Sequence, residues 1–194
     1  MRILNFTVAT GPAREPLSIE DAKEHLRIDQ HDEDVWLLDA IKATRNRAEG
    51  MMGRALIAQT LEVALSGWPA TRVIELPRPP LVSVTSVKYF DVDDAEFTLA
   101  ASNYIVDTRT TPGRLVLKST ASWPGTALRD VNGVIIRYVA GYGAEAADVP
   151  AEIRAAMKLW LGDMYEVREN SIVGTIISPA PSAAEKLLLK YRVF

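Results

Sequence analysis

Residues 32–65, DEDVWLLDAIKATRNRAEGMMGRALIAQTLEVAL, change their hydrophobic period once, and that change decides the fold. As far as Met52 the apolar positions Leu37, Ile41, Ala48, Met51 and Met52 fall on one face of a helix with about 3.6 residues per turn. Asp32 or Asp34 can cap its start, and Gly53 supplies the left-handed residue that ends it. Beyond Ala55 the rule is different. Leu61, Val63 and Leu65 alternate with Thr60, Glu62 and Ala64, as a half-buried strand requires.

Working outward, Ser18 and Asp21 form a capping-box-like start for a short helix over residues 18–28, carried by Ile19, Ala22 and Leu26. Downstream, strands are expected at RVIEL (72–76), VTSVKYF (84–90), FTLA (97–100), NYIVD (103–107), RLVL (114–117) and GVIIRYV (133–139). Prolines, the Asp91–Asp94 cluster and Asn132-Gly133 separate them, so short antiparallel strands joined by turns are expected. Pro150 suits the first turn of a third helix with the stripe Ile153, Met157, Trp160, Met164 and Val167. NSIVGTIISPAP (170–181) reads as extended, and Ser182 with Glu185 caps a final short helix.

The expected class is α+β: a helical bundle made from the N- and C-terminal helices, with an inserted, mostly antiparallel β region. The boundaries are a helical part at 1–54, the β insertion at 55–143, a helix completing the bundle at 144–170, and an extended arm with a short terminal helix at 171–194.

Composition bounds the chemistry. The chain has 194 residues, no cysteine and a net charge of −3. Thiol nucleophiles, disulfides, iron–sulfur clusters and cysteine zinc sites are therefore excluded. No overall basic field draws nucleic acid. No run approaches the roughly 18 apolar residues of a membrane span, and the opening residues carry no secretory pattern. Asp29, His31, Asp32 and Asp34 crowd one loop, but a calcium loop's glycine and terminal glutamate are missing, so a solvated acidic cap is the simpler reading. Asp91, Asp93, Asp94 and Glu96 read as a polar turn. Arg45, Arg47 and Arg54, and separately Arg109, Arg114 and Lys118, lack the interleaved aromatics of a nucleic-acid groove. No catalytic residue, metal or cofactor is expected.

Two features ask for a partner. Val35 and Trp36 lie roughly 120–140° from the apolar stripe of their helix, which suits a subunit interface or a contact with the β region. The last helix is too short to stand unaided.

LSIEDAKEHLRI (17–28), the run from 32 to 69, ELPRPPLVSVTSVKYFD (75–91), YIVD, VIIRYVAGYG (134–143), VPAEIRAAMKLWLGDMYEVRE (149–169) and LLLKYRV (187–193) occur in an order and spacing that resemble the head–tail connector (adaptor) family of tailed phages and gene transfer agents. The resemblance runs over residues 17–193. It departs at Asp93-Asp94-Ala95, where a short Asp-Gly hairpin turn is the family's pattern. It implies a non-enzymatic virion subunit at the particle's neck, assembled in the host cytoplasm. It implies a homo-oligomeric ring, usually a dodecamer, that extends the DNA channel below the portal protein and receives a stopper or tail protein. DNA would pass without sequence-specific binding, and no membrane is involved. Trp36, Ile176, Ile177, Leu187, Leu188 and Tyr191 are the expected partner-binding residues, the last three as anchors in a portal groove. The alternatives are a stopper or tail-completion protein of the same neck, or a small metal-dependent hydrolase built on the His31 loop.

Overall fold

The structure, a computed structural model, describes residues 6–166 and 182–193. The chain divides into two compact units. One comprises Met1–Ala13 with Ala58–Ala144, the other Arg14–Ile57 with Glu145–Phe194. The class is α+β with antiparallel sheets.

In the helical unit, α1 (Ile19–Leu26) begins where Ser18 and Asp21 form a reciprocal capping box. Its carboxylate also holds Lys158 at 3.1 Å. Burial pushes the Asp21 carboxyl up, but the hydrogen bonds from Lys158 and Ser18 outweigh it and leave it below the usual range. Next, α2 (Asp34–Met52) ends at Gly53, which is left-handed at φ 70° and donates its N–H to the Glu49 carbonyl at 2.9 Å. The buried face of α2 is Leu37, Ala40, Ile41, Thr44, Ala48, Glu49 and Met52, while Met51 lies only half-buried. Neither Asp32 nor Asp34 caps this helix. Glu33 holds the cap position but its side chain makes no capping hydrogen bond to the helix, while the Asp34 carboxylate pairs with Lys23 and His31.

The buried Glu49 carboxylate accepts the Leu56 N–H at 2.8 Å and lies 3.5 Å from Arg45, which also reaches Glu15 at 2.6 Å. A desolvated carboxylate is tolerable only with such partners. The next helix, α3 (Ala151–Glu166), buries Ile153, Ala156, Met157, Trp160 and Leu161; Met164 is half-buried and Val167 lies outside the described residues. The last, α4 (Ala183–Leu188), packs on α3 and α2.

The β unit holds a five-stranded sheet. In chain order its strands are β1 (Thr7–Thr10), β2 (Gln59–Leu65), β4 (Leu81–Phe90), β5 (Glu96–Thr98) and β8 (Val134–Ala140), arranged β1-β2-β8-β4-β5. A second sheet of β3 (Val73–Glu75), β6 (Tyr104–Asp107) and β7 (Arg114–Leu117) has the order β3-β7-β6. Residues 1–54 were expected to be helical, yet Thr7–Thr10 pairs with β2 and belongs to the β unit. Its four residues all face solvent, so no alternation of apolar residues announces it.

Central β8 buries Val134, Ile136, Tyr138 and Ala140. Tyr138 donates its hydroxyl to the Pro77 carbonyl at 2.9 Å, and burial pushes the phenol strongly up. The turn after β4 is built on a left-handed aspartate. Asp94 takes the left-handed conformation at φ 63°, which Asp tolerates better than most residues.

Candidate functional site

Trp36 is half-buried on α2 and meets Tyr165 of α3 edge-on, with ring centroids 5.7 Å apart. Tyr165 donates its hydroxyl to Glu33 at 2.8 Å. Both aromatics therefore belong to the helical unit, at the end of α2 where Val35 stands 74% exposed and Leu38 is also exposed.

The C-terminal element does not stand out as a free arm over its described residues. Ala184 and Leu188 are buried, Leu187 and Tyr191 half-buried, and Leu189 exposed. Leu188, expected as an anchor for a partner groove, fills the unit's own core, because α4 is too short to hold a helix without burying its apolar side. Ile176 and Ile177 lie outside the described residues, as does the rest of the stretch expected to be extended.

Polar contacts fasten this element on every side. Ser182 and Glu185 form the expected capping box. Arg47 reaches Glu185 at 3.2 Å, and Arg54 donates to the Tyr191 carbonyl at 2.6 Å. Val193 donates its N–H to the Met52 carbonyl at 2.9 Å. Glu152 of α3 accepts from Lys190 at 2.6 Å and from the Tyr191 hydroxyl. In the sequence Arg47 and Arg54 stand out only as members of a basic cluster, and Glu152 does not stand out at all. The available signal was distance-blind: an acid on one helix and a Lys-Tyr pair far along the chain.

These contacts set a pH dependence. Hydrogen bonds from Lys190 and then Tyr191 hold the Glu152 carboxyl below its usual range, and the same partnership raises Lys190 and the Tyr191 phenol. A depressed carboxylate stabilises the folded form above its unfolded pKa of about 4, and that contribution disappears as pH falls through the lower folded value. The raised Lys190 and Tyr191 contribute below their unfolded values of about 10, and lose that contribution as pH rises through the folded ones. Amide exchange over Ser182–Val193 should thus be slowest relative to its intrinsic rate between about pH 5 and 9, and protection should fall below pH 4. Protection unchanged at pH 3 would contradict the Glu152 contact.

The chemistry-bearing clusters are occupied by structural partners. Asp34 takes Lys23 and, at 3.0 Å, His31 Nδ1, and these two bonds lower its carboxyl. No group of three or more His, Cys, Asp or Glu side chains that could hold a metal ion occurs among the described residues. Asp91 accepts backbone N–H groups of Asp93 and Ala95, both at 2.9 Å, as a polar turn does. Arg114 holds Asp107 at 2.7 Å, which lowers that carboxyl, with the Arg109 backbone N–H adding to it. No described helix is long and apolar enough to cross a membrane.

No family model matches the chain, and no curated protein matches it. Solved structures do. A chain in the neck of an empty gene transfer agent (GTA) particle, computed with C6 symmetry, matches with a TM-score of 0.82 at 23% identity, covering 98% of this chain and 96% of that one. A chain of the native GTA virion gives 0.81 at 22%, and one in the native GTA neck computed with C12 symmetry gives 0.80 at 22%, with the same coverage. Across nearly its whole length, then, the chain has the fold of these GTA particle chains.

Proposed function

We propose that this chain is a structural subunit of the neck of a phage-like particle or gene transfer agent, a head–tail connector that forms a ring below the portal and carries the DNA channel toward the tail. The observation that carries this reading is the end-to-end likeness to chains of GTA particles, two of them from necks computed with C6 and C12 symmetry. The acidic clusters support it too, since lysine, arginine and backbone groups pair with their carboxylates. The helices act as the bundle of the subunit, and its partners are the portal, a stopper or tail protein, and further copies of itself. The subunit is not an enzyme. It resides in the virion neck and meets the portal in the host cytoplasm.

Trp36, Leu187 and Tyr191 are the proposed partner-facing residues, together with Ile176 and Ile177. Leu188 joins them only if the last helix leaves its own unit. Trp36→Ala should then lower ring assembly on the portal at least tenfold while costing the free subunit clearly less than the roughly 3–5 kcal/mol of a fully buried aromatic. Titrated unfolding beside portal co-sedimentation measures both. A full core-sized loss with assembly intact would place Trp36 in the core instead.

Alone at micromolar concentration the subunit should sediment as a monomer or a weakly associating species, because its polarity is that of an ordinary soluble chain. Addition of the portal should bring it into a larger complex. Stable twelve-fold rings without portal, or no association with it, would count against the reading.

A further inference from the structure

Two neighbouring turns at one end of the β unit are stiffer than exposed tips need to be. In the turn between β4 and β5, Asp91 holds the N–H groups of Asp93 and Ala95, and Asp94 is left-handed. The second turn precedes β8 and is tied to the first by an Asp91–Leu128 bridge and by the Arg129 N–H on the Phe90 carbonyl at 3.2 Å. Arg129 clamps both. Its guanidinium lies 4.0 Å from the Phe90 ring centroid and donates to the Asp94 carboxylate at 3.1 Å and to the Asn132 carbonyl at 2.9 Å. Asn132 is also left-handed, at φ 54°.

What this clamp presents is Val92, 63% exposed, and Val131, 66% exposed. Beside them stand the exposed carboxylates of Asp93 and Asp130, which have no side-chain partner among the described residues. A tip whose conformational entropy is already spent loses little more on docking.

The same unit carries a surface of matching character. In the three-stranded sheet Val73 pairs with Val116, and Val116 with Ile105. Strand periodicity puts all three on the face opposite buried Ile74 and Leu115, and Ile105 is 54% exposed. Arg114 and Lys118 flank Val116 on that face at steps of two. Arg114 is paired to Asp107, whereas the Lys118 ammonium has no partner among the described residues.

We propose that the valine tip of one copy docks on the Val73–Val116–Ile105 face of the next, with Asp93 or Asp130 meeting Lys118. The partner is a second copy of this chain, because the apolar row and the spare cation complement the two valines and the spare carboxylates. Different patches on the two copies make the contact heterologous, the kind from which a ring is built when its rotation closes. This rests on the ring reading proposed above.

The chain has no cysteine, so engineered thiols report cleanly. Rings of Val131→Cys with Ile105→Cys, assembled on the portal and oxidised, should give a ladder of disulfide-linked multimers on a denaturing gel. Neither single variant should do so. Asp130→Lys and Lys118→Asp should each weaken assembly about tenfold, and the double variant should recover most of it. All these sites are at the surface, and thermal melting checks that each variant folds. Rings that form normally but give no ladder, with charge reversals that neither weaken nor rescue, overturn this contact and leave the ring reading standing. No ring from the unaltered chain under any condition overturns both.

Discussion

Trp160→Ala should destabilise the helical unit by about 3–5 kcal/mol, the largest loss expected from any single truncation in the chain. Trp160 is 1% exposed on the same face of α3 as Ile153 and Met157. Its ring also receives the Arg47 guanidinium 4.2 Å from the centroid, and Arg47 in turn holds Glu185 at the start of α4. Deleting the indole removes buried area, leaves a cavity and takes away the surface on which Arg47 rests. The effect should therefore reach the C-terminal element as well. Denaturant unfolding followed by far-ultraviolet circular dichroism gives the size, and amide exchange over Ser182–Val193 gives the reach. A loss below about 1 kcal/mol would mean that α3 does not bury this face.

Gly113→Ala should be the most damaging change in the β unit. A Cβ at this position would lie 2.3 Å from the Leu81 Cβ and 2.7 Å from its Cδ2. Overpacking typically costs about 1–3 kcal/mol, and this case belongs at the upper end because the nearest atom is attached directly to the backbone and cannot rotate away. The Gly113 carbonyl also accepts the Leu76 N–H at 2.9 Å, so a shift to relieve the clash disturbs the approach of β3 to β7. Leu81→Ala in the same chain should relieve the clash only in part, since it removes the Cδ2 contact but keeps the Cβ at 2.3 Å. A Gly113→Ala protein that melts with the unaltered chain would show that β4 does not pass so close.

How much of this was legible in the sequence depended on whether a feature is local. The capping boxes at Ser18 and Ser182, the Gly53 stop and the alternation of Leu61, Val63 and Leu65 rest on residues a few positions apart, and each is found where expected. Seven of the strands carried enough apolar or β-branched residues between breakers to be seen. The exception was Thr7–Thr10, whose four residues are all exposed and which pairs with β2.

The candidate surfaces were less legible. Trp36 was recognisable as lying off the helix's main apolar face, but nothing local disclosed that Tyr165 would meet it. Leu188 looked available for a partner because so short a helix cannot stand by itself, and the sequence does not say against which surface it comes to rest. The valine tip was hidden for a similar reason. The Asp91–Asp94 run reads as a polar turn, while Arg129, which joins it to the Val131 turn, stands 35 residues from Asp94.

The claim at the centre of this account is that the chain is a ring-forming subunit of a particle neck, and mass measurement on its complex with the portal tests it most directly. The chain of 21.4 kDa, mixed in excess with the isolated portal and purified from unbound protein, should add the mass of a closed ring in a single step, twelve copies for a twelve-fold portal. Imaging of the same sample should show the added density coaxial with the portal channel. A portal mass left unchanged, or one that grows by scattered single copies with no preferred number, would contradict the account.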